Sequence, residues 1–230
     1  MADALPTKLT LTVVSRERKI VEIDVDEVVL PASDGEIGVL PGHTPLLTTL
    51  RVGTLRYRAG STVEKLATLK PVFRPDGEVT AGNACPLNDG AAAVVVMSDT
   101  KAKELGITPL ARIVGHATHS QEPEWFTTAP VVAMDKLLKK IGWKVDDVDL
   151  FEVNEAFAVV AMAPMKELGV PHAKLNINGG ATALGHPIGA SGARLIVTLI
   201  NALRKTGGKR GVASLCIGGG EATAIAIELA

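Results

Sequence analysis

Three groups of residues in the latter part of this 230-residue chain carry chemistry in their types and spacing. Asn154-Glu155-Ala156-Phe157 follows an apolar run, so an amide and a carboxylate stand where a strand gives way to a helix. Gly185-His186-Pro187-Ile188-Gly189 closes a glycine-rich stretch that begins at Asn178-Gly179-Gly180, and it delivers an imidazole just before a helix start. Cys216-Ile217-Gly218-Gly219-Gly220 places a thiol at a strand end beside consecutive glycines, whose backbone N–H groups can form a small anion-binding concavity. Each group alone also has a plain structural reading. Asn154 could be an N-cap worth about 1 kcal/mol, His186 a loop histidine, and Cys216 an inert buried thiol next to a glycine bulge. Together they are a thiol, an imidazole, an amide and exposed backbone donors, the parts needed for acyl transfer or carbanion chemistry at a thioester. A metal site is not indicated, because the two cysteines and the scattered histidines lack ligand spacing. Nucleotide binding is not indicated either, since the glycine loop lacks the phosphate-binding lysine and the Rossmann spacing.

The elements that must position these groups follow from periodicity. Thr100 to Leu105 reads as a short helix closed by Gly106, and Leu110 to Ala117 as a strand. Pro130 sits in the first turn of a helix after Thr128, with Val131, Met134, Leu138 and Ile141 as its apolar stripe and Gly142 at its end. Val148 to Val153 is the next strand, followed by a helix capped by Asn154, with Pro164 expected to kink or shorten it. A helix spans about Ser191 to Lys205, and Gly211 to Cys216 and Ala222 to Leu229 are the last strands. Ala91 to Met97 reads as a buried strand and Leu175 to Asn178 as a third. The order β-α-β-α-β-α-β-β predicts a layered α/β domain with right-handed crossovers between parallel neighbours.

The first 60 residues differ. Leu9, Leu11 and Val13 alternate with polar residues, as do Val21, Ile23 and Val25 against Glu22, Asp24 and Asp26, and turn signals fall at 31–35, 40–43 and 52–53. Short alternating strands with frequent turns predict a small antiparallel sandwich or barrel. The change in period near Ala59-Gly60-Ser61 divides the chain into 1–60, a connecting stretch 61–108, and an α/β part 109–230.

Composition narrows the class without naming an activity. The chain is 47% hydrophobic and 21% charged, with Lys+Arg 24 against Asp+Glu 25 and a net charge of -1. That balance is ordinary for a globular protein and lacks the basic excess that nucleic-acid binding normally leaves. The longest apolar stretch, Ala156 to Met165, falls well short of the roughly 20 residues a bilayer span needs, so no membrane insertion is expected. Residues 1–20 hold no signal-peptide core, and Cys85 and Cys216 form no disulfide framework. A reducing, cytoplasmic setting is therefore expected.

From about Ser61 onward the chain resembles the C-terminal part of a thiolase, an acetyl-CoA acetyltransferase. The residues that carry this are Thr80-Ala81-Gly82-Asn83-Ala84, Asn88-Asp89-Gly90-Ala91-Ala92, Asn154-Glu155-Ala156-Phe157, Asn178-Gly179-Gly180, Gly185 to Gly192, and Cys216 to Gly220. The resemblance implies a thiolase-like layered α/β fold and Claisen chemistry between coenzyme A thioesters, with acyl-CoA as substrate and no cofactor. It implies that His186 activates a nucleophilic cysteine and contributes to an oxyanion site, and that Cys216 shuttles the proton at the substrate α-carbon. Asn154 would position a water in the first oxyanion hole, and the Gly218 N–H would serve the second. Cys85 stands where many relatives have a serine near the pantetheine, and Phe157 lies in a motif lining that pocket. In thiolases the nucleophilic cysteine belongs to a first half that this sequence represents only by a closing strand around Ala91 to Met97. Cys85 could replace it, but Gly82-Asn83-Ala84 matches the pantetheine-side loop instead. Negligible turnover by the chain alone is the expectation, with a thiolase half or a second copy of the chain as the partner that would complete it.

Residues from about Lys8 to Arg58 resemble the N-terminal β-sandwich of the ATP synthase epsilon subunit. Val28-Val29-Leu30-Pro31, the run from Asp34 to Thr48 and Gly53-Thr54-Leu55-Arg56-Tyr57 carry that likeness. It implies a non-catalytic binding module that contacts the gamma subunit, with His43 a turn residue. The later sandwich strands of that family are not represented, so the sandwich would be incomplete. For the α/β part the expectation is geometric: Cys216, His186 and Asn154 converge at one edge of the sheet, and Cys85 lies outside the cluster.

Overall fold

The computed structural model describes residues 68–230 throughout and, before them, the strand residues 9–14, 19–25, 27–32, 35–39 and 56–58. The chain divides into two compact units, Met1–Lys70 and Pro71–Ala230. In the first, β1 (Leu9–Val14) pairs antiparallel with β2 (Lys19–Val25). A second sheet has the order β4-β3-β5, from β3 (Glu27–Ala32), β4 (Gly35–Val39) and β5 (Arg56–Arg58), again antiparallel. The alternation read from the sequence is visible here. Val25 is fully buried while Glu22 and Asp24 face solvent, and Thr10 Oγ1 donates to Asp24 Oδ1 across the β1–β2 pair at 2.9 Å. His43, the turns at 40–43 and 52–53, and the junction at 59–61 lie outside the described residues.

The second unit is built on a four-stranded sheet ordered β6-β9-β8-β7: β6 (Ala111–Ser120), β7 (Leu150–Val153), β8 (Arg210–Cys216) and β9 (Glu221–Leu229). β7 and β8 are parallel, and β9 is antiparallel to both of its neighbours, so the sheet is mixed. The described helices are α1 (Asp99–Glu104), α2 (Ala129–Ile141), α3 (Ala158–Glu167), α4 (Ala181–Leu184) and α5 (Ser191–Thr206).

Successive strand residues face opposite sides, and this sorts the core into two layers. Val212 and Cys216 of β8, with Ala222, Ala224 and Ala226 of β9, join Ala133, Met134, Leu137 and Leu138 of α2 and Val160 of α3. Ala213 of β8 and Ile227 of β9 join Leu195, Leu199, Ala202 and Leu203 of α5. The α5 stripe recurs at the helical period, and its end is set by Gly207 in the left-handed region at φ 76°. Gly211 allows α5 to lie close on β8, because a Cβ there would come within 2.8 Å of Leu199. α2 begins after Thr128 with Pro130 in its first turn and stops at Gly142, φ 72°. Its buried stripe runs through Pro130, Ala133, Met134, Leu137 and Leu138, turned slightly from the expected one, with Val131 and Ile141 only half-buried.

Three expected local features are different in the structure. Ala91 to Met97 is not a strand: it has no ladder partner among the described residues, and Val95 and Val96 are 87% and 68% exposed. High β-propensity makes a strand only where a neighbour accepts its backbone bonds. Leu175 to Asn178 forms a single bridge, Leu175 to Phe151, after a 3-10 turn at His172–Lys174. Asn176 then turns left-handed at φ 47° and pairs with Val153 through its side chain, Oδ1 accepting from the Val153 N–H and Nδ2 donating to the Val153 carbonyl, both at 2.8 Å. The side-chain amide thus does what a strand backbone would have done. Asn154 is not an N-cap either, because α3 starts four residues later with Phe157 in the cap position. Pro164 lies inside α3, which ends at Glu167.

Candidate active site

The site is assembled at the C-terminal ends of the parallel strands β7 and β8, where α/β sheets place ligands. The register sets Val153 opposite Ser214, and the Asn154 N–H donates to the Ser214 carbonyl at 2.9 Å. Asn154 therefore stands beside the last turn of β8, whose final residue is Cys216. With Asn154 fully buried and Cys216 only 7% exposed, both polar groups are withdrawn from bulk water.

His186 arrives from the loop between α4 and α5. Its backbone N–H donates to the Pro86 carbonyl at 3.2 Å. On one side of the ring Nε2 lies 3.3 Å from Asn154 Nδ2, and on the other Nδ1 lies 2.6 Å from Ser191 Oγ. Gly185 permits this approach: it sits at φ 95°, and a side chain there would run into Asn88. A shallow cleft lined by Leu87, Asn88, Asp89, His186 and Ile188 opens beside the ring.

Cys85 belongs to a segment that ties the loops together. Asn83 accepts from the Ala158 N–H at 2.8 Å, Ala84 bridges Phe157, the Cys85 N–H donates to the Ala156 carbonyl at 3.3 Å, and Pro86 holds His186. The Cys85 segment is thus bonded to the loops that carry Phe157 and His186. Its thiol lies near enough to Cys216 to act on it electrostatically. Burial, chiefly, pushes both thiols up, and for Cys216 the neighbouring Cys85 adds to the effect. Both are free cysteines that stay protonated at neutral pH. Burial pulls His186 down, reinforced by the Arg194 charge, so the imidazole is neutral there.

Gly218 lies on the exposed turn after β8, with open space where a side chain would project. That turn is tightened by Ile217, whose N–H donates to the Glu221 carbonyl at 2.7 Å. Phe157 is half-buried, its ring edge-on to Phe126 with centroids 6.2 Å apart.

Two further residues shape the site without having been given a role in the sequence reading. Glu155 takes the Asn176 amide at 2.8 Å and the Thr182 N–H at 3.1 Å, and its carboxyl fills the space a side chain on Gly180 would need. Ser191, at the start of α5, holds the far side of the His186 ring. Their signal was present in the spacing: Ser191 is five residues after His186, across the turn into a helix. On the other face of β7, Glu152 is buried beside Arg194 of α5 at 3.4 Å, and burial raises its carboxyl to about 7 against the opposing Arg194 charge.

Residues 107–229 match the family described as "Thiolase, C-terminal domain", and residues 8–78 match "ATP synthase, Delta/Epsilon chain, beta-sandwich domain". The chain is 53% identical over 171 residues to an acetyl-CoA acetyltransferase of Allochromatium vinosum, covering 74% of this chain and 43% of that protein. It is 56% identical over 169 residues to an acetyl-CoA acetyltransferase of Yarrowia lipolytica, covering 74% of this chain and 42% of the relative. Among solved structures, the Bacillus anthracis acetyl-CoA acetyltransferase aligns with a TM-score of 0.71 and 42% identity over 96% of this chain and 49% of that one. Human mitochondrial 3-ketoacyl-CoA thiolase aligns with a TM-score of 0.69 and 42% identity, over 76% and 46% of the two chains. The chain spans less than half the length of the curated relatives it matches. The mixed sheet with its flanking helices is the thiolase fold, and with more than half of its residues in the C-terminal domain match, the chain belongs to the thiolase family.

Proposed function

We propose that this chain supplies the proton-handling part of a thiolase-type acyltransferase site acting on acetyl-CoA and related acyl-CoA thioesters. The observation that carries this reading is the 3.3 Å approach of Asn154 to His186 at the sheet edge where Cys216 ends β8. In the proposed reaction, read as thiolysis, the bond between the α-carbon and the 3-keto carbon of a bound thioester breaks, the enolate left on the α-carbon takes the proton of the Cys216 thiol, and the resulting thiolate recovers a proton from the incoming thiol. The enolate oxygen needs preorganised donors. The Gly218 N–H serves one oxyanion, and His186 with a water held by Asn154 serves the other. Cys85 and Phe157 border the substrate on the pantetheine side.

With Cys216 assigned to proton transfer and Cys85 to substrate contact, the acyl-carrying thiol belongs to a nucleophile-bearing thiolase half that is not among these 230 residues. Steady-state thiolysis of acetoacetyl-CoA tests this. The chain alone is expected to give no turnover, and addition of the nucleophile-bearing half of a relative is expected to restore it, with loss on Cys216→Ala. Turnover by the chain alone that disappears on Cys216→Ala would overturn the division of labour. Two free thiols suit a reducing, cytoplasmic setting. Among the described residues no helix is long and apolar enough to cross a membrane.

The match over residues 8–78 favours a second reading for the first unit, as a docking module for an ATP synthase gamma subunit. Pull-down with a gamma subunit decides it, and absence of binding overturns it.

A further inference from the structure

Ser191 has no role in the reaction as described so far, yet it is fully buried and makes the shortest hydrogen bond to the candidate imidazole. Its single hydroxyl proton has two places to go, His186 Nδ1 at 2.6 Å or the Pro187 carbonyl at 3.1 Å. Only one choice is compatible with the other side of the ring. Asn154 turns its amide nitrogen, which is a donor only, toward Nε2 at 3.3 Å, so Nε2 must carry the lone pair. A neutral imidazole with a lone pair on Nε2 has its proton on Nδ1, which makes Ser191 Oγ the acceptor there. The hydroxyl proton is then free for the Pro187 carbonyl four residues back, the usual back-bond of a serine at a helix start. The opposite tautomer would set an N–H against the Asn154 amide N–H groups.

We propose that Ser191 is a positioning residue for His186: it accepts the Nδ1–H, fixes that tautomer, and leaves the Nε2 lone pair directed into the site. The inference deepens the acyltransferase reading and takes its catalytic meaning from it. In that reaction the S–H bond of the acyl-carrying thiol breaks and an Nε2–H bond forms. The ring becomes an imidazolium, and its Nδ1–H bond to Ser191 becomes charge-assisted and stronger. The proton returns from Nε2 when the ring acts as acid. A third group that orients the base is the arrangement that makes an imidazole effective with a nucleophile.

The test is long-range 1H–15N correlation on the full chain labelled in its histidine rings, above the ring's titration, with the His186 signals assigned by their loss in His186→Gln. Wild-type chain is expected to show His186 protonated on Nδ1 and bare on Nε2. Ser191→Ala is expected to shift the ring toward the Nε2–H form, since the acceptor for Nδ1–H is gone. An Nε2–H ring in the wild type would overturn the proposal, because the Asn154 amide would then face the other way and Ser191 would be a donor. An Nδ1–H ring unchanged in Ser191→Ala would overturn it as well. If Ser191→Ala does not fold, the wild-type spectrum alone decides. The readout needs neither acyl-CoA nor turnover, so failure of this inference and failure of the acyltransferase reading give different results.

Discussion

The two faces of the four-stranded sheet differ in size, with a much larger buried cluster on the α2 side than on the α5 side, and they are built for different loads. The α2 face is apolar around Met134, Leu137, Phe151, Val212 and Ala224, and only at its rim does it reach the Cys216 thiol. The α5 face packs Leu195, Leu199, Leu203 and Ile227, but it also takes in Glu152 and Arg194. One turn before Arg194 on the same helix is Ser191, the residue that holds His186. A helix that merely stabilised the sheet would have no reason to carry charge inward. The difference teaches that α5 adds the Arg194 charge to the burial that lowers the imidazole, while α2 supplies the rigid backing for β8. Buried ion pairs are poor sources of stability, because desolvation offsets much of the attraction. The Glu152–Arg194 pair therefore fits a tuning role better than a stabilising one.

Truncation of the core should give the largest effects and separate the faces. Phe151→Ala is expected to lower stability by about 3–5 kcal/mol and Leu199→Ala by about 2–5 kcal/mol, read from urea unfolding. A near-neutral Phe151→Ala would break the picture of the α2 face as the rigid backing.

The next effect is a pH dependence confined to the α5 face. Burial raises Glu152 to about 7 from an ordinary value of 4.5. The folded state therefore holds this proton through a range in which the unfolded chain has lost it, so stability falls as pH rises from about 4.5 to about 7 and then levels off. The expected loss is about 3 kcal/mol in order of magnitude. Glu152→Gln should flatten that part of the profile, measured as unfolding midpoints at a series of pH values. A slope that survives the substitution would assign it to another group.

The smallest effect should come from the ion pair on the outside of α2. Lys139 and Asp135 meet at 2.7 Å with the lysine side chain 76% exposed. Asp135→Ala is expected to change stability by no more than about 0.5 kcal/mol in the same unfolding assay. A cost like that of the buried site would erase the contrast between the two helices.

Most of the layered architecture was legible in the residues because its signals are local. β8 and β9 are apolar runs separated by the glycines at 218–220, α2 opens on Pro130 and closes on Gly142, and α5 carries its leucines at the helical period. The misread segments are those whose state depends on a neighbour. Ala91 to Met97 has the composition of a strand and no ladder partner among the described residues. Asn176 has the neighbours of a strand residue, but its side chain substitutes for the backbone in pairing with Val153. Asn154 has the type of an N-cap, and the chain runs four residues further before the helix begins. For the candidate site, the residue types were readable and their partners were not. Nothing local announces that Glu155 fills the space over Gly180, or that Cys85 lies close enough to act on Cys216.

By itself, the sequence determined which groups exist to do chemistry: one thiol at a strand end, one imidazole before a helix, one amide after a strand, and glycines where the backbone must turn. Those choices are made by residue type and by spacing along the chain. Only the tertiary structure decided which nitrogen of His186 faces Asn154, which faces Ser191, and how far each thiol is removed from water. The reason is physical. A hydrogen bond is specified over a few tenths of an ångström and a pKa by burial and nearby charge, and both depend on segments more than 30 residues apart, such as Asn154 and His186, being brought together.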